Sequence, residues 1–277
     1  MMPMAKAPMK ARTVKRMLSE EDFRKFTEFR IGGMGRKLRE MIDDDSYDDL
    51  TFEEKMKVLI DAESESRDTR KMQKLVKNAK FKDQGACVED LIYLPERKLS
   101  RDRITRYAEC KWIEDNEVIC VISRSGCGKS FLIQALGVAA CRKLIDVRYA
   151  RLADIFEDLN RARLVNAEAY YEALNEYKTV SVLLCDDFLT TPIESPLNAV
   201  DLFEIVEARE GVAATIIASQ LEPQEWYLRI EGELMADSTL NRIAKGARYI
   251  DIEGPNMREY VAKKRDEKEA AAKPKKK

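Results

Sequence analysis

The residues best suited to chemistry lie in one stretch, Ser123-Arg124-Ser125-Gly126-Cys127-Gly128-Lys129-Ser130. Gly126 and Gly128 let a backbone approach a ligand with no Cβ in the way. Free N–H groups, with a helix start just behind them, favour a polyphosphate. In such a loop Lys129 bridges the β- and γ-phosphates and the Ser130 hydroxyl holds Mg2+. The expected cradle is Ser123, Arg124, Ser125, Gly126, Cys127, Gly128, Lys129, Ser130 and Phe131. The pattern G-x-x-x-x-G-K-[ST] would place Gly where this chain has Ser123. If that turn needs φ > 0, the serine costs roughly 1–2 kcal/mol. Micromolar binding is about −8 kcal/mol, so the expectation is weakened binding rather than none.

Downstream, the apolar run Val180–Cys185 ends in Asp186-Asp187. Carboxylates at the carboxyl end of a central strand face a ligand crevice. Asp186 would hold Mg2+ through water, and Asp187 would orient or deprotonate an attacking water. Many such sites carry Glu at the second position; Asp is one methylene shorter, and a misplacement of about 1 Å can cost on the order of 100-fold in rate. Gln220 ends the next apolar run, where it would position the water or sense the γ-phosphate. Arg242 lies on a helical pattern, either as an arginine finger for a neighbouring subunit or as an ordinary exposed arginine. A second basic feature is spread out: Arg67, Arg70, Lys71, Lys74, Lys77 and Lys80 recur at three- and four-residue spacing. On a helix they make a stripe able to track DNA phosphates, or simply a solvated face.

The elements that must hold these residues are legible from periodicity. Val118–Ile122 reads as a buried strand and the residues from Phe131 to Ala140 as a buried helix. Strands follow over 147–150, 180–185, 212–219 and 248–252, alternating with helical patterns. That alternation predicts an α/β fold, a parallel sheet covered by helices on both faces. Ahead of it, Ser19 and Thr51-Phe52-Glu53-Glu54 open amphipathic helices, and Gly32, Gly33 and Gly35 interrupt the first. The expected organisation is a basic flexible arm (1–19), a helical domain for DNA or partners (20–84), a connector (85–99), the sheet domain (100–260) and a charged flexible tail (261–277). Within the connector, Val88, Leu91, Ile92, Tyr93 and Leu94 suggest that it packs on something.

Composition closes off several classes. The 49 basic and 50 acidic residues nearly cancel, so charge distribution, not net charge, must indicate partners. No apolar run approaches membrane-spanning length and no signal segment is evident, which predicts a soluble, cytoplasmic protein with no membrane partner. The six cysteines are scattered and several sit in apolar runs, which predicts reduced, mostly buried thiols. With no histidine and no CxxC, zinc and His-based catalysis are not expected.

From Arg30 to Arg258 the chain resembles the IstB-like ATPases, AAA+ helper proteins of insertion-sequence transposition related to DnaC-type helicase loaders. The marks are LTFEEKMKVLIDAESESRDTRKMQKLVKNAKF, ACVEDLIYLPERKL, CKWI, ALGVAACRK, LLCDDFLTTP, ATIIASQLEPQEWYLRI and ADSTLNRI, in that order. The resemblance implies a P-loop NTPase of the AAA+, ASCE type without a separate lid, preceded by a small all-α domain. It implies ATP and Mg2+ as ligands, homo-oligomerisation through the ATPase domain, assembly on double-stranded DNA and a partner transposase. It makes Lys129 and Ser130 Walker A, Asp186 and Asp187 Walker B, Gln220 sensor 1, Arg242 the finger and Arg258 a second phosphate-sensing arginine. Asn241, before Arg242, stands where the family commonly has Asp. Two other readings stay open: a replicative helicase loader, and a nucleotide-binding DNA adaptor with little or no hydrolysis. A small-molecule kinase would leave the basic helix unexplained.

Overall fold

Apolar runs form the central strands β1 (Val118–Ser123), β3 (Val182–Asp186) and β4 (Ala214–Ser219), flanked by the more polar β2 (Val147–Arg151) and β5 (Arg248–Ile252). They pair in parallel in the order β2-β3-β4-β1-β5. The centre of the sheet is dry on both faces, with Ile119, Cys120 and Val121 at 0% exposure. That is why the three central strands read as continuous apolar runs and not as alternation. The structure is a computed structural model and describes residues 18–272. The chain divides into two units between Arg70 and Lys71.

The first unit holds α1 (Glu20–Glu28), α2 (Gly32–Asp43) and the first part of α3 (Phe52–Asn78). Ser19 caps α1 in a reciprocal capping box with Asp22. The glycines expected to interrupt the helix instead form the first turn of α2. A Cβ on Gly33 would lie 2.6 Å from the Ser66 Cβ, so the glycine lets α2 approach α3 closely. Glu63, buried on α3, accepts from the Gly33 and Met34 amides (2.8 and 3.2 Å) and from Arg67 Nε (2.8 Å). Burial pushes its carboxyl up, but Arg67 and the two amides outweigh burial and hold it below the usual range. The carboxylate thus serves as a cap at the positive end of α2, supplied from another helix.

In the second unit, α4 (Arg101–Ala108), α5 (Lys111–Glu114) and α6 (Lys129–Arg142) cover one face of the sheet with the connector. On the other face lie α7 (Leu152–Val165), α8 (Ala167–Thr179), α9 (Pro196–Arg209), α10 (Pro223–Trp226) and α11 (Glu233–Ala244). Arg209, 3% exposed, donates to the carbonyls of Tyr177, Val180 and Ala214 and to Thr215 Oγ1, tying the end of α9 to the end of α8 and to β4.

Two sequence-based expectations shift. The helical domain was expected to reach residue 84. Ala79 and Phe81 are buried in the sheet unit's core, with Leu75 and Val76 packed against it, so residues from 71 on belong there. The arm, as far as residue 17, and residues 273–277 of the tail lie outside the described residues. The tail from 261 is helical as far as it is described: α12 spans Met257–Ala272. Its Ala, Glu, Lys and Arg residues are strong helix formers, and no Gly or Pro interrupts them.

All six cysteines are free and five are buried; burial pushes Cys120 and Cys141 up to about 12. Among the described residues, no helix is long and apolar enough to cross a membrane.

Candidate functional site

The turn from β1 into α6 is the loop anticipated from the sequence. Gly126 and Gly128 carry φ of +84° and +94°. A Cβ on Gly126 would lie 2.6 Å from Asn256 Oδ1, so this position needs glycine both for its φ and for space. Ser123 does not lie in the turn. It is the last residue of β1, paired opposite Ile252, 5% exposed, and its Oγ donates to the Arg124 carbonyl (3.2 Å). The strain expected of a serine at that position is therefore absent, because the left-handed backbone falls on the two glycines. Cys127 is 4% exposed, with its Sγ against the Gly254 carbonyl (3.7 Å), so it is a packing residue of the loop.

A cavity of about 590 Å³ opens over this loop. Ser125, Gly126, Gly128, Lys129, Ser130 and Phe131 line it, whereas Ser123, Arg124 and Cys127 do not. Asp187 and Gln220 reach it from the ends of β3 and β4, and Arg258 from the first turn of α12. The connector supplies Leu91 and Ile92, which with Met257 and Val261 make an apolar wall. The connector also packs on the core, where Leu91 is buried and Val88 and Tyr93 lie against it. The polar part of the lining carries Lys82, Arg97, Lys129 and Arg258 against the carboxylates Asp90 and Asp187, and a part-apolar, net cationic cavity of this size suits a nucleotide.

Asp186 is 1% exposed. One carboxylate oxygen accepts from the Tyr149 hydroxyl (2.8 Å) and the other from the Asp187 amide (2.9 Å). Tyr149 lies on β2, opposite Leu184 on β3, and burial and then Asp186 push its phenol well above the usual range. The hydroxyl therefore remains a donor and fixes the carboxylate. Asp187 has φ of +50°, a left-handed conformation in which Asp is several-fold enriched over most residues. Its Oδ1 lies 3.9 Å from Lys129 Nζ. Among the described residues, no cluster of three carboxylates or thiols is placed to hold a cation alone. A divalent ion held by Ser130 and Asp186 would have to complete its shell with phosphate oxygens and water.

Arg242 is absent from the lining of this cavity. It pairs with Glu207 of α9 and with Glu210 just past its end (3.2 and 3.3 Å) and covers the Phe203 ring at 4.9 Å. Of the basic stripe, all six residues are exposed. Arg67 and Arg70 in the first unit are partly committed, to Glu63 and to Ser66. In the second unit, Lys71, Lys74 and Lys77 on α3 and Lys80 just beyond it have no carboxylate within ion-pair distance among the described residues.

Tyr149, Arg97 and Lys82 are among the residues of the site that escape a sequence reading. Tyr149 sits inside an ordinary buried strand, and only its pairing with β3 reveals its role. Arg97 belongs to the connector stretch LPERKL, where a lone arginine in a polar turn looks exposed, yet it is 2% exposed beneath the loop. Lys82 lines the cavity with its Nζ 6.0 Å from the Tyr149 ring centroid.

Comparison with known proteins agrees with this geometry. The family description for IstB-like ATP binding proteins matches residues 25–266. The chain is 31% identical over 249 residues to y4pL, an insertion-sequence ATP-binding protein of Sinorhizobium fredii, covering 90% of this chain and 100% of that one. It is 31% identical over 206 residues to the IS1162 ATP-binding protein of Pseudomonas fluorescens, covering 74% and 87%. Among solved structures, AMPPCP-bound DnaA of Aquifex aeolicus superposes with a TM-score of 0.55 at 21% identity, over 68% of this chain and 56% of that one. A DnaC helicase loader superposes with a TM-score of 0.51 at 17% identity, over 61% and 97%. These two share the fold: a five-stranded parallel sheet of the AAA+ kind.

Proposed function

The chain belongs to the IstB-like ATP-binding proteins, and from that premise we propose that it is a cytoplasmic, Mg2+-dependent ATPase that assembles on duplex DNA and directs a partner transposase in insertion-sequence movement. The observation that carries this reading is the convergence of Lys129, Ser130, Asp187 and Gln220 on one nucleotide-sized cavity, in the same unit as four unpaired lysines.

In this reading the loop amides and Lys129 take the phosphate charge, which favours the transition state as negative charge spreads over the transferred group. Ser130 and Asp186 would hold Mg2+, which would neutralise charge on the phosphate oxygens. Tyr149 keeps Asp186 in one orientation. Asp187 accepts the proton of the attacking water, and Gln220 orients that water. A second cavity, of about 660 Å³, adjoins the same two residues and is lined by Arg151, Thr190 and Asn198. It would admit the Arg242 of a second copy, once that arginine leaves Glu207 and Glu210, so that the nucleotide sits between subunits. Lys71, Lys74, Lys77 and Lys80 then meet DNA phosphates, with Arg67 and Arg70 as further contacts of the first unit.

The test is assembly on duplex DNA measured by mass photometry with ATP or ADP. Large DNA-bound assemblies in ATP that dissolve in ADP support the reading; equal behaviour in both, or no DNA binding, refutes it. Four to six phosphate contacts predict a loss of affinity of about 100- to 2,000-fold between about 50 and 200 mM salt.

One observation favours a second reading, an adaptor that binds nucleotide and DNA with little hydrolysis. The Asp187 carboxylate is short and lies toward Lys129. That reading predicts the same assembly with no turnover above background.

A further inference from the structure

Arg97 is a buried cation with no counter-ion. It ends the turn Pro95–Arg97 in the connector and is 2% exposed. Its guanidinium donates to the carbonyls of Ile92 and of Cys127, the latter at 2.8 Å in the phosphate loop. Its Nε is buried and has no hydrogen-bond partner. Among the described residues, no carboxylate pairs with it. Arginine stays charged in proteins, and a buried charge without a partner is costly. Carbonyl dipoles offset that cost only in part.

The other buried arginine without a carboxylate, Arg209, shows what a purely structural solution looks like. Its Nε and both terminal nitrogens are all engaged, by Thr215 and by backbone carbonyls. Arg97 differs in two respects. It keeps an unfilled donor, and it lines the nucleotide cavity beside Lys129.

Arg97 also joins three segments that meet around that cavity. It lies in the connector and bonds to the phosphate loop, and its own carbonyl accepts from the Glu253 amide (3.2 Å) at the end of β5. A Cβ on Gly254 would lie 3.1 Å from its Cγ, and one on Gly128 would lie 3.0 Å from its terminal nitrogen. Both glycines therefore leave room for this side chain. From Gly254 the chain runs into α12, which brings Met257 and Arg258 to the cavity wall.

We propose that Arg97 is a second fixed cation of the nucleotide site, compensated only when a polyphosphate occupies the loop, so that binding draws the connector and the β5–α12 turn together around the nucleotide. The proposal rests on the reading of the cavity as the ATP site. It makes Arg97 a binding residue that discriminates by phosphate charge, acting from the connector side while Lys129 acts from α6.

The experiment compares the full chain with Arg97→Met and Arg97→Lys, measuring affinities for ATP, ADP and AMP by competition with a fluorescent nucleotide, without Mg2+. A charge-assisted contact predicts that Arg97→Met weakens ATP binding by about 10- to 100-fold, ADP less, and AMP by no more than about 3-fold. Arg97→Lys, which keeps the charge, should recover most of the ATP affinity. Equal losses for the three nucleotides, or a lysine variant as weak as the methionine variant, would show that Arg97 only braces two carbonyls and would overturn the proposal. If Arg97→Met fails to fold, the ratio of ATP to AMP affinity in Arg97→Lys decides: a ratio near wild type supports the cation, and a collapsed ratio rejects it. Absence of nucleotide binding by the wild-type chain would refute the ATP-site reading itself, and this proposal with it.

Discussion

Replacing Ser123 with glycine restores the residue that phosphate loops of this pattern usually carry, and the structure says it should not help. Were the serine forced into left-handed backbone, relief of roughly 1–2 kcal/mol would tighten nucleotide binding by a factor of about 5 to 30. Ser123 instead ends β1 in extended backbone, opposite Ile252 and nearly buried. Glycine there removes a packed side chain and its bond to the Arg124 carbonyl and adds freedom to the unfolded chain. Glycine inside a strand costs about 0.5–1 kcal/mol relative to alanine. In a domain of roughly 200 residues this lowers Tm by about 1–4 °C. Two measurements on Ser123→Gly suffice: a thermal melt without nucleotide, and titration with a fluorescent ATP analogue. The expected outcome is a slightly lower Tm and an affinity within about twofold of wild type. A tenfold gain in affinity would refute the argument, because it would mean that the loop does store strain at Ser123.

Other substitutions probe the neighbouring contacts. Tyr149→Phe keeps the ring and removes the donor to Asp186, leaving a buried carboxylate short of one hydrogen bond at a cost of about 1–3 kcal/mol; Tm should fall, and ATP binding should lose its dependence on Mg2+ while Mg2+-free binding stays near wild type. Asp187→Asn keeps a side chain that tolerates the left-handed backbone and removes the proton acceptor, so turnover should drop by about 100-fold or more while ATP affinity holds or tightens near Lys129; undiminished turnover would remove Asp187 from the chemistry. Lys74→Glu should weaken duplex binding and flatten its salt dependence without altering ATP affinity, as read by fluorescence anisotropy over a salt series. The folded state holds the Glu63 carboxyl below its unfolded value, so its contribution is present above the ordinary carboxylate range and is lost as pH falls below that range, through the lower folded value; hydrogen exchange at the Gly33 and Met34 amides should therefore quicken in acid relative to a capped control helix, and Glu63→Gln should remove that pH dependence.

The parts of this molecule that were legible in advance are those written in local sequence. The phosphate loop, the alternation of strands and helices, and the carboxylates after β3 each depend on a few consecutive residues, and β5 was placed at its observed bounds of Arg248–Ile252. What escaped depends on distant pairing. Tyr149 becomes part of the site only because β2 lies beside β3, and Arg97 only because the connector folds beneath the loop. Gly33 looked like a helix breaker because its isolated propensity is poor, whereas close approach to α3 and the Glu63 cap reverse that preference. The serine at position 123 looked costly because residue type is visible in sequence and φ is not. Residues 71–84 joined the sheet unit because four apolar side chains among them, Leu75, Val76, Ala79 and Phe81, found the core.

The central claim is that the cavity over the phosphate loop turns over ATP in response to DNA. Its most direct test is phosphate release by the purified chain with and without duplex DNA, with Lys129→Ala as the blank. The account predicts Mg2+-dependent turnover that rises with DNA and vanishes in the blank. Turnover that persists in Lys129→Ala would place the activity elsewhere, and nucleotide binding with no turnover under any condition would contradict the ATPase and leave the adaptor.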